Sequence, residues 1–228
     1  MKYREIVQGI FLERPNRFIA YVELMGKRER VHVKNTGRCK ELLLPGACVY
    51  LEKSENPERS TAFDLVAVKK GERIVNMDSQ APNSVVEEWL RKGELFGEKA
   101  EVKREVTYLD SRFDFSITDE YGHVSFLEVK GCTLEKDGVV MFPDAPTERG
   151  VKHVKELIKA KKEGYGAYIL ILVQMNGVKY FVPNWDTHPA FGEALREAKR
   201  NGVVILCYDS IVTSDSITLF KSVPIVLS

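Results

Sequence analysis

Ser111-Arg-Phe-Asp-Phe-Ser-Ile117 and Ser125-Phe-Leu-Glu-Val-Lys130 are two short runs in which polar and apolar residues alternate. Successive side chains of a strand point to opposite faces. That period sends Phe113, Phe115 and Ile117 to one side and Arg112, Asp114 and Ser116 to the other. In the second run Leu127 and Val129 share a face, and Glu128 and Lys130 project opposite them. Tyr121-Gly122 lies between the runs as a turn, so a hairpin would bring the two polar faces together. The expected product is two carboxylates and a lysine on one side of a sheet whose other side is apolar.

Such a set suits phosphodiester hydrolysis. A hard cation such as Mg2+ prefers oxygen ligands and is often held by one or two carboxylates. It polarises a phosphoryl oxygen, and a neighbouring lysine can orient water or stabilise developing charge. Taken alone, Glu-x-Lys is equally the pattern of a cross-strand salt bridge. Asp114 on the matching face makes the chemical reading more specific.

Outward from this hairpin, the C-terminal half alternates strands and helices. Val102 to Leu109, Tyr168 to Val173 and Val203 to Cys207 read as strands. The latter two are continuous apolar runs, as expected of strands buried on both faces. Thr147 to Glu163 reads as a helix with Thr147 as N-cap, and Pro189 to Asn201 as another. Around the first of these helices, Val151, Val154 and Ile158 form the core stripe. Arg149, His153 and Glu156 form a polar stripe roughly opposite, where Arg149 and His153 could contact a phosphate. Ser84, with Glu87 three residues on, suggests the capped start of an earlier helix reaching Gly93.

The N-terminal half has a different texture. Phe18 to Leu24, Arg30 to Lys34, Ala47 to Leu51, Thr61 to Val68 and Arg73 to Val75 read as short strands divided by turn residues. Five strands in this length suggest a small closed barrel of the oligonucleotide/oligosaccharide-binding (OB) type. The expected division is residues 1–80 and 81–228.

The chain of 228 residues is 44% hydrophobic and 29% charged, which excludes global disorder. No apolar run is long enough for a membrane span, and the N-terminus lacks a signal-peptide stretch, so a cytoplasmic location is expected. Cys39, Cys48, Cys132 and Cys207 form no Cys-x-x-Cys pair, which argues against a zinc site or disulfide framework. Net charge is +1, but residues 1–80 carry 15 Lys/Arg against 11 Asp/Glu, and the remainder 19 against 22. Between Lys27 and Lys40, six cations face the single acid Glu29. A nucleic-acid backbone would fit there. His32 and Lys34 share one strand face, and in Asn35-Thr36-Gly37-Arg38 the polar groups can bond a phosphate that Arg38 grips. Phe18 and Tyr21 are either base-stacking or core residues.

Several motifs together resemble one family. They are His32-Val-Lys-Asn-Thr-Gly-Arg38, Leu43-Leu-Pro-Gly46, Ser111-Arg-Phe-Asp-Phe115, Leu127-Glu-Val-Lys-Gly131 and Phe142-Pro-Asp-Ala-Pro-Thr-Glu-Arg-Gly150, followed by His153, Glu156 and Leu157. This combination is similar to the sugar fermentation stimulation protein A (SfsA) family over nearly the whole chain. The resemblance implies an N-terminal OB-like β-barrel followed by an α/β PD-(D/E)xK nuclease-like domain, a mixed sheet flanked by helices. It places Asp114, Glu128 and Lys130 at the catalytic positions, with Asp114 and Glu128 as ligands for Mg2+ or Mn2+. It implies binding of DNA with little sequence preference, for which His32, Lys34, Asn35, Thr36, Arg38, Arg112, Arg149 and His153 are the candidate contacts. Nucleases of this type often act as homodimers, although no dimer face is legible. The alternative is a non-catalytic DNA-binding regulator of sugar-utilisation genes on a retained nuclease fold.

Overall fold

A computed structural model describes residues 1–35 and 37–228. The N-terminal strands are β1 (Ile6–Glu13), β2 (Ile19–Leu24), β3 (Lys27–Val33), β4 (Cys48–Lys53), β5 (Phe63–Lys70) and β6 (Arg73–Asn76). They follow the order β3-β2-β1-β4-β5-β6, and β3 also pairs with β5 through His32↔Asp64 and Val33↔Leu65. That extra pairing closes the first five strands into a barrel and leaves no free edge among them. Ala20, Val22, Val31, Val49, Leu51 and Leu65 fill its interior. Met25 and Gly26 both have positive φ, the conformation of a tight two-residue hairpin turn between β2 and β3.

Strand β1 is absent from the pattern reading because Gly9 interrupts its apolar alternation. A Cβ at Gly9 would lie 3.1 Å from the Glu23 carbonyl oxygen, so glycine lets β1 and β2 approach closely.

The second half consists of α1 (Ala81–Arg91), β7 (Glu101–Tyr108), β8 (Ser111–Thr118), β9 (Val124–Cys132), β10 (Glu135–Lys136), β11 (Val139–Phe142), α2 (Glu148–Lys162), β12 (Gly166–Val173), β13 (Tyr180–Pro183), α3 (Pro189–Arg200), β14 (Val204–Val212) and β15 (Ile217–Ser222). The main sheet has the order β15-β14-β12-β9-β8-β7. Its centre, β9, β12 and β14, is parallel; β7, β8 and β15 are antiparallel to their neighbours. A small second sheet joins β10, β11 and β13.

Alternation along β12 shows how the layers form. Ile169, Ile171 and Val173 pack on the side of α2 and α3, in a buried cluster that continues into the barrel through Phe11, Val33 and Leu65. Leu170 and Leu172 pack on the other side with Val85, Val86 and Leu90 of α1. Helix α1 begins earlier than the Ser84 start expected from the sequence. Pro82 needs no N–H partner near a helix start, and the Asp78 carboxylate accepts from Gln80 N at 2.9 Å. Glu87 therefore does not cap; it pairs with Arg91 and Arg104.

The connection between barrel and sheet is polar and buried. Asp78, fully buried, pairs with Lys34 Nζ at 2.8 Å and accepts from Tyr3 Oη at 3.3 Å. Asn76 Nδ2 donates to Tyr3 Oη, and Gln174 Nε2, just past β12, donates to Asn76 Oδ1, both at 2.8 Å. Burial and the Asp78 charge hold the Tyr3 phenol well above its ordinary pKa. Removing one partner of a buried pair costs about 3–5 kcal/mol, because the other charge is stranded. Asp78→Ala should therefore lower the melting temperature by about 10 °C. Tyr3→Phe should cost only about 1 kcal/mol. Urea and thermal unfolding test this; equal losses from both variants would contradict a network centred on the Asp78 charge.

Candidate functional site

Strands β8 and β9 pair from Thr118↔Val124 to Phe115↔Leu127, and there they part. Beyond that point β8 stays with β7 as far as Ser111, and β9 stays with β12 as far as Cys132. Parting would leave backbone groups without ladder partners. Asp114 sits in the fork and supplies the missing acceptor: its Oδ2 takes the Val129 N–H at 2.8 Å. Its Oδ1 takes the side-chain N–H of Asn83, from the first turn of α1, also at 2.8 Å. Glu105, opposite on β7, has a φ of 53°.

The distortion changes which way Phe113 faces. Period-2 reading puts it with Phe115 and Ile117. Instead, Phe113 packs against Phe126, with ring centroids 5.3 Å apart, and against His153 of α2. Phe115 and Ile117 remain in the cluster under α1. The strand loses its regular alternation at Asp114, where it is no longer held by β9.

On β9 the alternation holds. Glu128 is 2% exposed, and its Oε1 accepts hydrogen bonds from both Lys130 Nζ and His153 Nδ1. Its other oxygen, Oε2, is buried and has no protein partner. Burial alone would raise the pKa of Glu128, but His153 and Lys130 outweigh it and hold the group below its ordinary range. Asp114 moves the other way, raised by burial and by the Glu128 charge against the opposing pull of Val129 N–H, Lys130 and Asn83. Two neighbouring carboxylates pushed apart in this way are a frequent feature of reactive sites.

His153 lies on the polar stripe of α2, opposite the expected core stripe, yet it is 4% exposed. A carboxylate can only accept, so Nδ1 carries the proton toward Glu128, and Nε2 accepts from Arg149 Nε at 3.3 Å. Glu156, on the same face, is also buried. Only Arg149 of the three is exposed. The predicted phosphate contact His153 is thus enclosed, with both ring nitrogens engaged. The N-terminus of α2 is closed by Thr147, whose Oγ1 accepts from Gly150 N at 3.0 Å.

The structure gathers Asp114, Glu128, Lys130, His153 and Arg149, and adds Asn83, one residue before the Ser84 helix start that the sequence suggested. The other predicted contacts lie elsewhere. Arg112 is exposed and 3.5 Å from Glu105. In the barrel, His32 Nδ1 lies 2.8 Å from Asp64, which Arg59 also grips with two nitrogens. Lys34 is committed to Asp78. Asn35 spans its own loop, donating to Met77 O and accepting from Gly37 N. Arg38 is exposed, and Thr36 lies outside the described residues. Phe18 is half exposed, and Tyr21 lies under the Arg28 guanidinium at 4.2 Å.

The donor set at the fork fits a hard divalent cation. The unpartnered Glu128 Oε2 is a buried acceptor without a donor, an arrangement that is costly unless a positive group completes it. Among the described residues no three His, Cys, Asp or Glu side chains converge as a metal cluster. The two carboxylates therefore suit an ion that fills its remaining positions with water, and not a zinc site closed by protein ligands. No helix among the described residues is long and apolar enough to cross a membrane.

Comparison with known proteins agrees with this architecture. Residues 12–77 match the family model described as the SfsA N-terminal OB domain, and residues 80–216 match the sugar fermentation stimulation protein RE domain. A sugar fermentation stimulation protein homolog of Ruminiclostridium cellulolyticum is 54% identical over 99% of both chains. The homolog of Clostridium beijerinckii is 53% identical over the full length of both. The solved structure of Pyrococcus furiosus SfsA in complex with Ca2+ has a TM-score of 0.86 and 28% identity, covering 99% of this chain and 97% of that one. With both halves matched in order and half of its residues shared with full-length relatives, the chain belongs to the sugar fermentation stimulation protein (SfsA) family.

Proposed function

We propose that this protein binds DNA and hydrolyses phosphodiester bonds at the β8–β9 fork, using Mg2+ or Mn2+ held by Asp114 and Glu128. The observation that carries this reading is the buried, unpartnered Glu128 Oε2 beside Lys130 and across the fork from Asp114. The relative from Pyrococcus furiosus was solved in complex with Ca2+, another oxygen-seeking ion, which supports a divalent cation as a ligand of this protein.

The bound cation would supply positive charge that polarises a phosphoryl oxygen. The chain's own residues prepare the rest. Asn83 and the Val129 N–H fix the Asp114 carboxylate, leaving it little freedom to rotate. His153 fixes Glu128, with Arg149 behind it. Lys130 is neutralised by Glu128 in the metal-free protein. Lys130, held by Glu128 at the same fork, is the group placed to orient an attacking water and to stabilise charge growing on the phosphoryl oxygens. Two carboxylates facing an anionic backbone would otherwise repel it.

Glu128→Ala and Lys130→Ala should each reduce metal-dependent nicking of supercoiled plasmid by at least about 100-fold. Gel-shift binding in EDTA should persist in both. Binding without scission by wild-type protein in Mg2+ or Mn2+, on plasmid, linear duplex and single strands, would overturn the catalytic reading and favour the regulator. His153→Ala should weaken cation affinity by about 10–100-fold, as loss of a ligand-orienting partner does, measured by calorimetric titration of Mn2+.

The opposed carboxylate shifts also set a pH signature for the metal-free protein. The folded pKa of Asp114 lies above its ordinary 3.8, so its stabilising contribution is complete below 3.8 and is lost as pH rises through the folded value. Glu128 behaves in reverse: its contribution is present above 4.5 and is lost as pH falls through its lowered value. Asp114→Asn should therefore raise the melting temperature at pH 7 in EDTA by about 3 °C. The gain should vanish below pH 3.8, where the native carboxyl is also neutral. A melting temperature lowered at pH 7 would contradict the strained charge.

A further inference from the structure

A second polar site lies where the β5–β6 hairpin of the barrel meets the β10–β11 hairpin. The open pocket there holds about 550 Å³. Lys70, Arg73, Lys136 and Lys179 bring four cations to it, and Glu135 and Asp137 two carboxylates; the rest of its lining is glycine. Asp114, Glu128 and Lys130 take no part in it.

Glu135 is buried and organises the floor. Its Oε2 accepts from Lys70 Nζ at 2.7 Å, and its Oε1 from the Gly138 N–H at 2.6 Å. Lys70 Nζ also donates to the Glu135 carbonyl at 2.8 Å. Burial alone would raise the pKa of Glu135, but Lys70, the Gly138 N–H and Arg73 hold it below its ordinary range. The charge of Glu135 is thus matched by that of Lys70. Arg73 is left over. Its NH2 stands 3.7 Å from Glu135 Oε1, too far for a hydrogen bond, and its NH1 is buried without a partner. The Arg73 side chain is 36% exposed, so its charge reaches the pocket.

Lys136 and Lys179 are exposed, and neither forms an ion pair among the described residues. Lys179 is nevertheless placed by packing. A Cβ at Gly138 would lie 3.0 Å from both Cγ and Cδ of Lys179, so the glycine lets that stem lie against the turn. Asp137 and Gly138 both have positive φ, which makes the turn tight. Of the two carboxylates only Asp137 is exposed.

With Glu135 and Lys70 matched, three cations face the single acid Asp137. The lining offers no aromatic or aliphatic side chain to hold a ring or a chain. A guanidinium suits the oxygens of a phosphate, and lysines meet it as point charges. A nucleic-acid strand carries single charges on successive phosphates, whereas a diphosphate concentrates several within one pocket. We propose that this pocket binds a compact inorganic polyphosphate, of which pyrophosphate is the smallest, through Arg73, Lys136 and Lys179. The bound anion bridges the barrel and the second sheet. The inference does not depend on chemistry at the fork.

The test is calorimetric titration of the full-length protein with pyrophosphate, in EDTA and at fixed ionic strength. The expected result is one saturable site with a Kd below about 1 mM, at least about tenfold tighter than for inorganic phosphate. Lys136→Gln/Lys179→Gln should weaken pyrophosphate binding at least about tenfold. Arg73→Lys keeps the charge beside Glu135 but loses the fork of donors, and should weaken it at least about threefold. The charge-matched control Lys155→Gln/Lys162→Gln, on the exposed side of α2, should bind as wild type does. Pyrophosphate at about ten times its Kd should raise the melting temperature of wild type and control by about 4 °C, and that of Lys136→Gln/Lys179→Gln by much less. Circular dichroism of each variant separates lost binding from lost fold. No saturable binding by wild type, or equal loss in the two double variants, would overturn the inference. Loss of duplex DNA affinity in Lys136→Gln/Lys179→Gln, with no pyrophosphate titration in wild type, would also overturn it and make the pocket a DNA contact.

Discussion

A backbone N–H inside a sheet must find an acceptor, and where β8 leaves β9 the Val129 N–H loses the one that a ladder would supply. The Asp114 carboxylate takes that place. This substitution holds the fork open without leaving a buried donor unmet, and it puts one carboxylate beside another. The closeness of Asp114 to Glu128, whose charge helps raise its proton affinity, and the bond of Asn83 to its second oxygen go with this arrangement. A fully zipped β8–β9 hairpin would satisfy the backbone equally well, but it would leave Asp114 without this role.

The surroundings are arranged to tolerate this concentration of charge. Glu128 has two donors on one oxygen and none on the other, and those donors come from its own strand and from α2. Asp114 is steadied from α1. Helices from opposite faces of the sheet thus converge on one fork, so the position of each helix is part of the site. Helix α1 is itself set by Asp78, whose carboxylate receives Gln80 N at its start and Lys34 from the barrel. The barrel therefore reaches the fork through a short chain of buried polar contacts, independently of any ligand it holds.

Much of this was legible in the sequence, for reasons that also explain what was not. Period-2 alternation survives along β9, which stays in register with β12 past Lys130, so Glu128 and Lys130 fall on the expected face. It fails on β8 at Asp114, just beyond the last pair with β9, and Phe113 turns to the side opposite the one that alternation predicts. A helical wheel separates apolar from polar stripes, and it located Arg149, His153 and Glu156 together. It cannot tell a polar stripe facing water from one facing another polar site, and the burial of His153 and Glu156 followed from the second case. Asn83 was hidden because a polar residue near a helix start already has a conventional explanation. The basic run from Lys27 to Lys40 was visible as charge, but charge in a sequence does not show which cations already have carboxylates, and Asp78, which takes Lys34, lies far along the chain. Gly9 concealed β1 by breaking the pattern at the point where two backbones come close.

The family models treat the barrel and the mixed-sheet region as successive segments, 12–77 and 80–216. The buried cluster does not respect that division, since Phe11, Val33 and Leu65 share one apolar interior with Phe181, Val154 and Leu195. Each segment is the solvent shield of the other. In evolutionary terms, recombination could not lift this barrel onto a new partner without also carrying over a matching apolar wall. The two segments are thus bound to be inherited, and to diverge, as a pair.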